Sequence, residues 1–95
     1  MKVEIAKKIV SLRYVSSYND DTDMPLFESV ADFETKDDVR KYMEDDPSFT
    51  EDDIRSVRTE DGKYVFRDSW TEHEEREPVY GYVLYEDIPV VRMVE

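Results

Sequence analysis

The apolar positions of this chain change period along its length, and the changes divide it into elements. In residues 8–18, Val10, Leu12 and Tyr14 alternate with Ser11 and Arg13, the period-two pattern of a half-buried strand. Residues 2–9 leave the period open, since Val3, Ile5, Ala6 and Ile9 fit a helix or a strand. Asn19, Asp20, Asp21, Thr22 and Asp23 are turn formers by their side chains. Pro25 then opens a second extended segment, with Leu26, Phe27, Val30 and Phe33 as its apolar residues.

Two helix starts follow. Thr35 precedes Lys36, Asp37 and Asp38, so its hydroxyl can cap the third following N–H while two carboxylates sit on the positive end of the helix dipole. Val39, Tyr42 and Met43 give the i, i+3, i+4 stripe of one helix face, and Pro47 stops the run. Thr50, Glu51, Asp52 and Asp53 repeat the device, with Phe49 and Ile54 at the two positions of a hydrophobic staple. The period then returns to two. Glu60, Asp61 and Gly62 form a hairpin turn signal between Val57/Thr59 and a face made of Tyr64, Phe66 and Trp70. Residues 71–78 read as a polar connection and residues 79–85 as a strand, with Gly81 a bulge or close-packing point. Pro89 breaks that strand, and residues 90–94 offer a last short one. The expectation is one domain over residues 1–95 of α+β class, an antiparallel sheet of four to six strands with one or two short helices on one face.

Charge complicates that picture. Forty per cent of the residues are charged and the net charge is −12, half of the signature of a disordered chain. The other half is missing, because 13% are aromatic and only two are glycine. The chain therefore reads as folded. Residues 1–18 carry net +3, residues 19–53 net −11 and residues 54–95 net −4. Such an excess of acid repels a phosphate backbone and argues against direct nucleic-acid binding. No apolar run approaches the ~18 residues of a membrane span, and no signal-peptide core is visible at the start.

Most catalytic and metal chemistries lack their residues. Cysteine is absent, so thiolate nucleophiles, disulfides and cysteine metal sites are excluded. His73 is the single histidine and reads as a solvated loop residue, since zinc normally recruits several nitrogen or sulfur ligands. Asn19, Asp21 and Asp23 have the first spacings of a calcium loop. Met24 stands where its glycine is required, and Val30 where its bidentate glutamate belongs. Gly62 and Gly81 stand alone and open no helix, so there is no phosphate-cradling loop. Trp70, Tyr80, Tyr82 and Tyr85 could stack on bases, but they lack the flanking positive funnel and read as packing residues. Neither an enzyme nor a cofactor is expected.

What remains is the acid, and it comes in blocks. The candidate partner-binding residues are Asp20, Asp21, Asp23, Asp37, Asp38, Glu44, Asp45, Asp46, Glu51, Asp52 and Asp53. Carboxylates fixed on helix starts and loops can stand where phosphates would and attract the same basic groove. Arg40 and Lys41 lie within reach of Asp37, Glu44 and Asp45 and would neutralise part of that face, whereas residues 44–53 hold six acids and no base. Tyr18 and Phe27 are candidate anchors. Small size, lack of cysteine, α+β patterning and clustered Asp/Glu together resemble the small phage-encoded inhibitors of bacterial proteins, including anti-CRISPR and anti-restriction DNA mimics. The resemblance is to a class; it rests on no motif and carries over no residue. It implies a cytoplasmic protein that blocks a basic nucleic-acid-binding protein stoichiometrically, without catalysis or cofactor. The basic first 18 residues depart from that pattern and would pair with the chain's own acids or with those of a second copy. The competing reading is a small interaction module, or a homodimer joined through an edge strand at residues 90–94, whose acidity serves solubility.

Overall fold

A computed structural model describes residues 2–67 and 78–94. Among these residues four strands and two short helices follow in order: β1 (Lys2–Tyr18), β2 (Pro25–Phe33), α1 (Lys36–Asp45), α2 (Glu51–Arg55), β3 (Arg58–Thr59) and β4 (Gly81–Val94). The sheet order is β2-β1-β4-β3. Both long pairings, β1 with β2 and β1 with β4, are antiparallel. The fold class is as the sequence suggests, with one correction: β3 pairs with β4 in parallel. Tyr64 makes a lone bridge to Arg58 where a second hairpin strand was expected, and residues 65–67 join no strand. Trp70, His73 and the 71–77 connection lie outside the described residues.

Cross-strand pairing sorts the side chains into two faces. Leu12 lies opposite Leu84 and Tyr14 opposite Tyr82, whereas Ser11, Arg13 and Val15 lie opposite Tyr85, Val83 and Gly81 on the other face. The first face meets the helices. Val10, Leu12 and Leu84 pack with Val39 and Met43 of α1, with Ile54 of α2 and with Val57. Of the α1 stripe, Val39 and Met43 are buried, while Tyr42 stays at the rim between Phe33 and Phe49. On the second face a smaller cluster joins Val15, Val79 and Val83, edged by Tyr18 and Tyr85. Tyr18 fixes it by donating its hydroxyl to the Val79 carbonyl and accepting from the Val79 N–H, both at 2.9 Å.

Both helix starts are built as the sequence indicates. The Thr35 hydroxyl accepts from the Asp38 N–H at 3.2 Å. Around α2 the Thr50 hydroxyl accepts from the Asp53 N–H, and the Asp53 carboxylate accepts from the Thr50 N–H, closing a reciprocal cap. The 60–62 turn closes through a Thr59 N–H bond to the Lys63 carbonyl, with Gly62 in the left-handed region at φ 85°. Gly81 has φ 87° and open space where a Cβ would stand, so backbone conformation, and not close packing, calls for glycine there.

At the far end of the sheet one open reading is resolved and one expectation, the strand break at Pro89, is corrected. Residues 2–9 resolve as strand, and β4 runs unbroken through Pro89 to Val94. Pro89 sits beyond the short reach of β3, where β4 has one unpaired edge, so its missing N–H removes no ladder bond on that side. Opposite it, β2 stops at Val10. Residues 2–9 and 88–94 therefore form a two-stranded arm beyond the helical layer, in a molecule 47 Å long.

The buried centre and the arm should respond differently to truncation. Leu84 is fully buried, so Leu84→Ala is expected to destabilise by about 2–5 kcal/mol in urea unfolding. Val91, 56% exposed, is expected to lose less than about 0.5 kcal/mol on replacement by alanine in the same measurement.

Candidate functional site

The helical layer gathers eight of the eleven acids singled out above: Asp37 and Asp38 at the start of α1, Glu44, Asp45 and Asp46 at its end, and Glu51, Asp52 and Asp53 opening α2. Asp20, Asp21 and Asp23 are not part of that group. They occupy the β1–β2 loop at the Pro25 end of β2, whereas α1 leaves from the Phe33 end, a strand length of roughly 27 Å away. The acid thus forms two territories.

Within the helical layer the bases neutralise less than their positions suggest. Arg40 Nε bonds Glu44 Oε1 at 2.8 Å, an i, i+4 pair on an exposed face, and Lys36 reaches away to Glu86 of β4 at 2.6 Å. Residues 44–53 are not free of base contacts, because Arg55 from the next turn reaches Glu51 at 3.3 Å. Exposed pairs of this kind contribute about 0.3–0.5 kcal/mol each. Among the described residues, Asp37, Asp38, Asp45, Asp46, Asp52 and Asp53 enter no ion pair.

Two of these carboxylates are held by hydrogen bonds instead of by opposite charge. Asp46 accepts from the Ser48 N–H at 2.9 Å and from the Ser48 hydroxyl at 2.7 Å, which fixes the bend between the helices. Those bonds, the backbone one first, hold the Asp46 carboxyl below the usual aspartate value. Asp53 is oriented by the reciprocal cap, and its charge, together with burial as the larger cause, pushes the Tyr82 hydroxyl up. Tyr82 in turn packs edge-on against Tyr14 and Phe49. The 46–53 segment is thereby anchored on the middle of the sheet, with Glu51 and Asp52 exposed. This bonding was only half legible in the sequence: Thr50 signalled a cap, but the short aspartate at the third helical position is not the usual Glu or Gln partner.

The two candidate anchors sit differently: Phe27 is exposed as expected, and Tyr18 is not. Tyr18 is half-buried and committed to Val79. Phe27, 40% exposed, stacks on the Arg13 guanidinium, which is clasped between Phe27 and Tyr85 at 4.4 and 4.5 Å. That clasp lies in a groove of about 480 Å³ on the second face, lined by Tyr18, Met24, Phe27, Val79, Val83 and Tyr85 among others. A second concavity of about 460 Å³, between β3 and β4, holds Lys36, Glu60, Asp61, Lys63 and Glu86. Asp61 there accepts from the Thr59 hydroxyl, which lowers its pKa, the reverse of what a general acid needs. Among the described residues no group of three or more histidines or acids is arranged to hold a metal ion. Among the described residues no helix is long and apolar enough to cross a membrane.

The chain matches no family model, no curated protein and no solved structure. Its functional reading rests on its own geometry.

The hydrogen-bonded carboxylates of Asp46 and Asp61 make the fold sensitive to acid. Their carboxyls are expected to titrate below 3.8 in a carboxyl-carbon NMR titration. A depressed folded-state value stabilises the fold above the ordinary aspartate pKa, and the contribution fades as the pH falls through the lowered value. Removing the α2 cap with Thr50→Ala is expected to reduce stability by about 0.5–2 kcal/mol, read by thermal or urea unfolding.

Proposed function

We propose that this chain is a non-catalytic acidic binding protein that occupies a basic, nucleic-acid-binding surface on a partner, in the manner of a DNA mimic. The observation that supports it most is the helical layer. Among the described residues Asp37, Asp38, Asp45, Asp46 and Asp52 stand there without ion pairs, on a scaffold fixed by two threonine caps and the Asp46–Ser48 bonds. A surface that served dispersion alone would not need its acids gathered on so fixed a backbone. Acids gathered on a fixed backbone present charge that a lysine- or arginine-lined groove reads as phosphate, and their field speeds encounter with such a groove. The cytoplasm is the compartment where that encounter with nucleic-acid-handling proteins takes place. The acidic 20–23 loop lies apart from this layer and is not needed for the reading.

The test is displacement. Proteins of a bacterial lysate are bound to DNA-cellulose, and the chain is passed over the column in low salt. A discrete protein is expected to leave with it, with release falling steeply between about 50 and 200 mM salt. Asp37→Lys, Asp45→Lys and Asp52→Lys, none of which is a capping side chain, are together expected to abolish release. Release that survives these three changes, or none at any salt, overturns the proposal.

A further inference from the structure

The second face of the sheet holds a cation that the chain fixes in place without neutralising it. Arg13 of β1 is half-buried. Its guanidinium rests on two rings, 4.4 Å from the centre of Phe27 and 4.5 Å from that of Tyr85. The rings themselves are 5.6 Å apart, so the cation and the two rings form a triangle. Arg13 Nε also donates to the hydroxyl of the buried Ser11 at 3.2 Å. Rings and hydroxyl together orient the guanidinium. An arginine has five N–H donors, and here only the Nε one is engaged among the described residues. The chain has 25 acids, yet among the described residues none forms an ion pair with Arg13.

The same arginine lines the groove of about 480 Å³, whose other walls are mainly apolar. Val79 and Val83 are buried and give it a floor, while Met24 and Phe27 are exposed. A concave apolar space of this size with one fixed polar group has the build of a small-molecule site. Its walls select the ligand. The flat faces of Phe27 and Tyr85 suit an aromatic body, and the Met24 thioether adapts to its outline. The free edge of the guanidinium is a planar fork that matches a carboxylate through two parallel N–H···O bonds. Glu60 is the other charge lining the groove; it is exposed and enters no ion pair among the described residues. That carboxylate, and the net charge of −12, disfavour a doubly charged phosphate more than a single carboxylate.

We propose that this groove binds a small aromatic carboxylic acid in its ionised form. The aromatic body lies over Val79 and Val83, and the carboxylate accepts from the terminal nitrogens of Arg13. Tyr18 contributes only its ring, because its hydroxyl is already committed to both polar groups of Val79. Arg13 therefore carries the discrimination between an acid and its neutral analogue. Binding is reversible and involves no covalent step. The site faces away from the helical layer, since Arg13 and Val83 lie on the face opposite Leu12 and Leu84. This inference does not depend on the DNA-mimic reading.

Titration with 1-naphthylacetate at neutral pH, followed in proton–nitrogen NMR spectra, tests it. The acid is expected to bind with a Kd of about 0.1–1 mM, the range open to a ligand of this size. It should move the amide signals of Phe27, Val83 and Tyr85 and the Arg13 Nε–H signal, and leave those of α1 and α2 in place. The neutral 1-naphthylacetamide, of the same shape, is expected to bind about tenfold more weakly, the worth of a charge-assisted pair. Arg13→Gln should erase the preference for acid over amide. Glu60→Gln, at an exposed position, should tighten the acid several-fold and leave the amide unchanged, and it keeps the test open if the Arg13 variant unfolds. Absence of binding at about 10 mM, an amide held as tightly as the acid, or shifts outside the groove overturns the proposal. So does 1-naphthyl phosphate binding more tightly than the carboxylate, or an acid indifferent to the Glu60 change.

Discussion

The antiparallel pairing of β1 with β4 is the constraint on which the rest of the molecule depends. It sets Leu12 against Leu84, the two residues on which both helices close, and Arg13 and Val15 against Val83 and Gly81 on the opposite face. Every other element attaches to this pair. One strand, β2, extends it along the outer edge of β1, and β3 adds two residues to β4. The helices need only one buried stripe each, which suits their length. α2 has five residues, too few to persist alone, and holds its shape through its cap and through Ile54 in the core.

The same economy governs the acid. Aspartates crowded into first helical turns lie where the helix dipole and the free N–H groups favour negative charge, so part of their mutual repulsion is offset locally. Hydrogen bonding from Ser48 and Thr50 offsets more of it. The arm carries net +3 while residues 19–53 carry net −11, so the molecule has a positive end and a negative body. Charge separation on this scale orients a molecule toward whatever it meets, before any contact forms.

How much of this was legible in the sequence follows from burial. The α1 stripe, the threonine caps and the alternation through Val10, Leu12 and Tyr14 could be read because each meets a core that demands one kind of residue on one side. Residues 2–9 gave no clear period because the arm has no packed face to impose one. Pro89 looked like a strand end because the rule against proline holds for strands paired on both edges, and which edge is open is a property of the whole sheet. The parallel β3 could not be read from two residues. The acids could be listed but not grouped: nothing local tells that the 20–23 loop and the 44–53 segment stand at separate places on the sheet, since that depends on the course of β2.

The β1–β4 ladder also has a consequence for how the molecule comes into being. Its outermost rungs join residues far apart in sequence, Glu4 and Arg92 being separated by 88 positions. On the ribosome β1 emerges first and has only β2 to pair with; the other side of its backbone stays open until nearly all of the chain described here has been made. Contacts so remote in sequence slow folding, and a nascent strand with an open edge invites the wrong neighbour. The lysines on the early half of β1 are well placed for that interval, since like charges on an unfinished edge discourage two nascent chains from zipping together.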